Sequence, residues 1–69
     1  MADYTKDVLR LLSQNNCTFV RHGKGDHDIW YSPITNRKFT VDGKIKDRYL
    51  ANGVLGQAGI KHRFKREFH

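Results

Sequence analysis

Apolar residues fall at helical spacing in the stretch "YTKDVLRLLSQNN", where Val8, Leu9, Leu11 and Leu12 repeat on one side of a 3.6-residue period. A helix is predicted there. Asp3 or Thr5 can accept from its first free amides, and Asp7 suits the positive end of its dipole. Asn15 and Asn16 suit its stop, because asparagine tolerates a left-handed cap. The period then shortens to two. "CTFVR" and "HDIWY" read as strands joined by the tight turn "GKGD", in which Gly23 and Gly25 supply positive-φ positions. Pro33, Thr35 and Asn36 make the next turn. "RKFTV" is a third strand, with Phe39 and Val41 on one face and Lys38 and Thr40 on the other. After a turn at Asp42 and Gly43, Asp47 is placed to cap a second helix, whose stripe of Ala51, Val54, Leu55 and Ala58 is closed by Gly59. Gly53 and Gly56 inside that helix each cost about 1 kcal/mol relative to alanine, which suggests close packing against the sheet or a partner.

The predicted fold is therefore α+β in the order αβββα, a three-stranded antiparallel sheet with two helices on one face. The other face is left open to solvent, and function is expected there. Parity in the second strand puts His27, Ile29 and Tyr31 on one side and Asp28, Trp30 and Ser32 on the other. Both sets contain apolar residues, so the side that joins the core stays open.

A length of 69 residues fits one domain, with a core over about residues 4–60 and a basic tail at 61–69. Separate substrate and cofactor domains do not fit, any site must be shallow, and the ends before Tyr4 and past Ile60 look weakly specified. The lone Cys17 cannot form an intramolecular disulfide; it suits a reducing cytosol and reads as a small buried filler. No apolar run approaches the roughly 20 residues a membrane span needs, and the start lacks the features of an export signal. A soluble, cytoplasmic protein without a membrane partner is expected. Thirteen Lys and Arg against seven Asp and Glu give a formal charge of +6. The excess sits in the 37–48 region and in the tail, which suits a polyanionic partner and equally a solvated basic surface, so charge alone does not decide.

Candidate chemistry narrows to one residue. His22, Asp26, His27 and Asp28 carry metal-ligand atoms, but adjacent strand residues alternate in direction and no cysteine pair or HExxH helix closes a shell, so neither metal nor cofactor is expected. Cys17 has no paired base, and Ser13 and Ser32 occupy no nucleophile elbow. Gly23 and Gly25 precede a strand rather than a helix, unlike a dinucleotide loop. His27 remains, beside Arg21 and Lys24. An RNA-cleaving site needs a group titrating near neutrality to take the 2′-OH proton and cations to hold the phosphate as charge develops. A strand-edge histidine with these neighbours meets that minimum; without a substrate it is a plain surface residue.

The order "GKGDHDIW", then "KFTV", then "LANGVLGQAGI" resembles the HicA-like (YcfA-like) mRNA interferase toxins from roughly Tyr4 to Ile60. The resemblance implies a fold like the double-stranded-RNA-binding domain and the toxin of a type II toxin–antitoxin system. It also implies an endoribonuclease with mRNA as substrate, His27 as the catalytic residue, Gly25 shaping the turn before it, and an antitoxin of the HicB type. Charge adds Arg21, Lys24, Arg37 and Lys38 as phosphate contacts and an acidic character for the antitoxin. Two positions depart from the family pattern. Asp26 stands where serine is frequent and is a candidate to orient the imidazole or only to shape the turn, and "VDGK" stands where many members carry a proline and a second histidine. The expected chemistry is metal-independent in-line attack by the 2′-OH. The competing reading is a non-catalytic module that binds duplex RNA by shape.

Overall fold

A computed structural model of the protein describes residues 3–65. The elements are α1 (Thr5–Gln14), β1 (Thr18–His22), β2 (His27–Ser32), β3 (Arg37–Asp42) and α2 (Arg48–Ala58), and the strands form one antiparallel sheet in the order β1-β2-β3.

Local chemistry sets the element ends. At the start of α1 the Asp3 carboxylate accepts from the Thr5 amide at 2.9 Å. That bond, with help from the Thr5 hydroxyl, holds the Asp3 carboxyl below its usual range. A depressed carboxyl stabilises the fold above the ordinary carboxylate range, and the contribution is lost as pH falls through the lower folded-state value. The Thr5 hydroxyl also accepts from the Ile45 amide at 2.9 Å, while the Tyr4 amide donates to the Ile45 carbonyl at 2.8 Å. The chain leaving β3 is thus stitched to the start of α1. Asn16 adopts φ 66°, and the Cys17 amide reaches back to the Leu12 carbonyl at 2.9 Å, so the helix stops where an asparagine accepts the left-handed conformation. At α2 the Asp47 carboxylate accepts from the Leu50 amide at 2.8 Å.

The sheet register decides the core. Residues 33–36 form the β2–β3 turn, with Asn36 at φ 62°, and the ladder pairs Trp30 with Phe39, Asp28 with Val41 and His27 with Asp42. Paired residues share a face. Phe39 and Val41 are buried with Val8 and Leu12 of α1 and Ala51, Leu55 and Ala58 of α2, so the helices cover the side carrying Trp30 and Ser32. His27, Ile29, Tyr31, Lys38, Thr40 and Asp42 lie on the uncovered side. Cys17 is buried within the core, as its filler role requires. All five residues of β1 are exposed, which makes it an edge reaching past the helical layer.

A buried polar contact locks this arrangement. The Ser32 hydroxyl, fully buried, donates to the Ala58 carbonyl at 2.6 Å and accepts from the Ile34 amide at 3.2 Å. Gly59 follows at φ 79°, and a Cβ there would sit 2.8 Å from methyl carbons of Ile34 and Thr35. Only glycine meets both demands.

Two expectations are corrected. Gly53 and Gly56 do not pack against the sheet: both are exposed, nothing lies within 4 Å of a Cβ added at Gly53, and the nearest atom to one at Gly56 is Arg63 Nη2 at 3.7 Å. Nor is the chain past Ile60 weakly specified as far as Phe64. The Asn52 amide donates to the Phe64 carbonyl at 3.0 Å and accepts from the Phe64 amide at 2.7 Å, and the Phe64 ring meets Tyr4 at 4.9 Å between centroids. An asparagine clamp of this kind joins residues far apart in sequence. Residues 66–69 of the expected basic tail lie outside the described residues. Among the described residues no helix is long and apolar enough to cross a membrane.

The glycines separate in a stability measurement. Gly53→Ala is expected to raise stability by about 0.5–1 kcal/mol, whereas Gly59→Ala should lower it by about 2 kcal/mol or more through left-handed strain and overpacking. For a domain of this size each kcal/mol moves the melting midpoint by about 4–8 °C. A lowered midpoint for Gly53→Ala would contradict its open surroundings.

Candidate functional site

His27 opens β2 on the uncovered face, with its side chain 51% exposed. Its Nδ1 lies 2.8 Å from Oδ1 of Asp42, the last residue of β3, whose side chain is 33% exposed. The pairing follows from the β2–β3 register, which sets the two residues directly opposite each other. A carboxylate only accepts, so its approach favours a neutral imidazole with the proton on Nδ1 and the Nε2 lone pair left for another partner. On the other flank the Gly23 amide donates to the His27 carbonyl at 2.7 Å. A Cβ at Gly23 would lie 3.1 Å from that carbonyl and 3.4 Å from Ile29 Cδ1, so this neighbour keeps the strands close and presents no side chain beside the ring. The turn closes with the His27 amide donating to the Lys24 carbonyl at 3.1 Å, and Gly25 supplies the left-handed residue at φ 58°.

The cations divide into two groups. β1 pairs Phe19 with Trp30 but Arg21 with Ile29, so Val20 is an extra residue that interrupts the alternation. This bulge turns Arg21 onto the uncovered face, two residues along the ladder from His27, where simple alternation would have placed it on the helical side. Lys24 is exposed in the adjacent turn. Lys38 shares the face but pairs with Tyr31, four residues along β2 and so about 13 Å from His27. Arg37 pairs with Ser32 and belongs to the helical side of the ladder, so the structure does not bring it to the histidine.

The carboxylates and the second histidine sort the same way. The carboxylate at His27 is that of Asp42; Asp26 is exposed in the turn, and its main-chain carbonyl would lie 2.7 Å from a Cβ at Gly43. Sequence reasoning missed Asp42, and the signal was the turn length, since four residues between Ser32 and Arg37 oppose His27 to Asp42 by counting. His22 Nδ1 is hydrogen-bonded to Asp28 Oδ1 at 2.8 Å, but on the helical side of the sheet, with the His22 side chain 84% exposed beside the Phe19 ring. Among the described residues no three His, Cys, Asp or Glu side chains gather to hold a metal ion. Ser32 is buried and bonded to the main chain, which leaves it no nucleophilic role.

This face carries an exposed imidazole, a carboxylate 2.8 Å from it and the Arg21 cation, with Lys24 exposed in the adjoining turn. Such a site suits a polymer lying across the sheet more than a small molecule that must be enclosed. The family model described as the HicA toxin of bacterial toxin–antitoxin systems matches residues 5–60, a span that contains α1, all three strands and α2. No curated protein and no solved structure matched the chain. The shared span covers most of the sequence and every element that builds the uncovered face, and the chain belongs to the HicA toxin family.

Proposed function

We propose that this toxin is an mRNA-cleaving endoribonuclease of a type II system, working in the cytoplasm with His27 as its proton-transfer residue. The observation that carries the reading is the His27–Asp42 pair at 2.8 Å on an uncovered face that also carries Arg21, with Lys24 exposed in the adjoining turn. The 2′-oxygen of the substrate attacks the adjacent phosphorus, a new P–O2′ bond forms, and the P–O5′ bond breaks. The 2′-OH proton passes to His27 Nε2, and the departing 5′-oxygen takes a proton from His27 or from water. Arg21 and Lys24 hold the phosphate as negative charge builds. The uncovered sheet favours single-stranded or unstructured RNA, whose backbone can bend to the in-line geometry.

The HicA toxin family implies an antitoxin partner. We take that partner to be an acidic protein of the HicB type that covers His27 and competes with phosphate for Arg21, Lys24 and Lys38. Arg37, on the helical side of the ladder, contributes only if the antitoxin wraps the sheet edge.

Replacing His27 tests the core of the reading. His27→Ala is expected to abolish RNA cleavage and growth arrest while stability stays within about 0.5 kcal/mol of the parent, because the side chain is exposed. Full cleavage by that variant, measured on a defined transcript, would remove the histidine from the mechanism. Retained RNA affinity with no cleavage by the parent would instead favour a binding module.

The bond chemistry is checked separately. Products should carry a cyclic phosphate or 3′-phosphate and a 5′-OH, form in the presence of chelator, and disappear when the attacked nucleotide has a 2′-hydrogen. Activity that chelator removes and divalent ions restore would point to a different chemistry.

The antitoxin should inhibit in competition with RNA and associate more slowly as salt rises, since charge complementarity acts chiefly on the encounter rate. Inhibition that excess RNA cannot relieve would place the antitoxin elsewhere on the toxin.

A further inference from the structure

We infer that Asp42 is a positioning residue that sets the tautomer and orientation of His27. The inference rests on the histidine reading above and adds to it a second residue, on a different strand, that touches no substrate.

Free neutral imidazole in water favours the proton on Nε2, the form in which Nε2 cannot act as a base. The Asp42 carboxylate, 2.8 Å from Nδ1, reverses that preference, because negative charge at that distance attracts a proton on Nδ1 and repels the lone pair that the Nε2–H form would place there. Once Nε2 takes the 2′-OH proton, the same carboxylate faces the imidazolium that results.

The pair is built into the main chain. Asp42 lies opposite His27 in the ladder, and Gly43 follows it at a point where a Cβ would sit 2.7 Å from the Asp26 carbonyl. The end of β3 is thereby pressed against the 23–26 turn, which holds the carboxylate beside the ring. With side chains 51% and 33% exposed, the pair adds little to stability, so its geometry matters for the histidine rather than for the fold.

The molecule supplies its own control. His22 and Asp28 form a hydrogen bond of the same 2.8 Å length between the same atom types on the opposite side of the sheet, away from the Arg21 face. If any exposed histidine–carboxylate contact sufficed, the two pairs would behave alike.

The experiment compares Asp42→Asn and Asp42→Ser with Asp42→Glu and Asp28→Asn in the full-length chain. It reads the ¹⁵N shifts of the His27 ring nitrogens at a pH where the ring is neutral, together with kcat and KM on one RNA. The parent and Asp28→Asn should show the Nδ1-protonated tautomer at His27. Asp42→Asn and Asp42→Ser should move the population toward Nε2–H and lower kcat about tenfold or more, with KM within about twofold. Asp42→Glu should recover part of both readouts. Unchanged ring shifts or an unchanged kcat in the folded Asn and Ser variants would overturn the inference. The ring spectrum does not depend on cleavage, so the two ideas fail separately. Cleavage by His27→Ala refutes the catalytic histidine, whereas an inactive His27→Ala with a fully active Asp42→Asn refutes only the positioning role.

Discussion

The register between β2 and β3 is the constraint on which the rest of the molecule depends. A turn of four residues opposes Trp30 to Phe39 and His27 to Asp42 in a single stroke. The first pairing gives the helices an apolar face to cover, and the second brings the His27 imidazole and the Asp42 carboxylate together on the opposite face. A one-residue slip would exchange the faces, exposing Trp30 and placing His27 toward the helices, so core and site rise or fall together. The Ser32 hydroxyl holds this register at its turn end by donating to the Ala58 carbonyl at the end of α2. A buried hydroxyl and carbonyl left unpaired would each carry a desolvation penalty of about 1–3 kcal/mol, so alternatives that break the contact are disfavoured.

Both sides of the candidate site depend on backbone irregularities rather than on side-chain packing. On the β1 side, Gly23 keeps the strand close to His27 and the Val20 bulge brings Arg21 to the same face. On the β3 side, Gly43 allows the approach that keeps Asp42 in place. The site therefore consumes little of the small core, which a short chain can ill spare. Both helices begin at the end of the sheet where His27 lies, since Tyr4 and Thr5 at the start of α1 are bonded to Ile45, between Asp42 and the first residue of α2.

Much of the fold was legible because its determinants are local. The five elements, the Asn16 and Gly59 terminations and the Asp47 cap each follow from residues within a few positions of one another. The core side of β2 was not resolved by composition, because Ile29 and Tyr31 compete with Trp30 in apolarity and only the register to Phe39 decides. Gly53 and Gly56 misled as to the sheet for a related reason: a glycine in a helix signals a conformational cost but not what lies beside it. The Asn52 clamp on Phe64 joins positions twelve apart and leaves no periodic trace. At the site, His27 with Arg21 and Lys24 came from proximity in sequence. Arg37 was grouped with them on charge alone, and Asp42 was overlooked because it reads as a turn residue until the ladder is counted.

The Val20 bulge has a second consequence, for how copies of the chain meet one another. β1 is an exposed edge carrying Phe19 at 47% and Val20 at 39% exposure, a sequence and geometry that invite another strand to zip alongside. An irregular edge cannot continue a regular ladder. The extra residue breaks the spacing of the outward amides and carbonyls, and the Arg21 charge makes an identical neighbour repulsive. The distortion that turns Arg21 onto the uncovered face therefore also works against edge-to-edge pairing between copies of the chain.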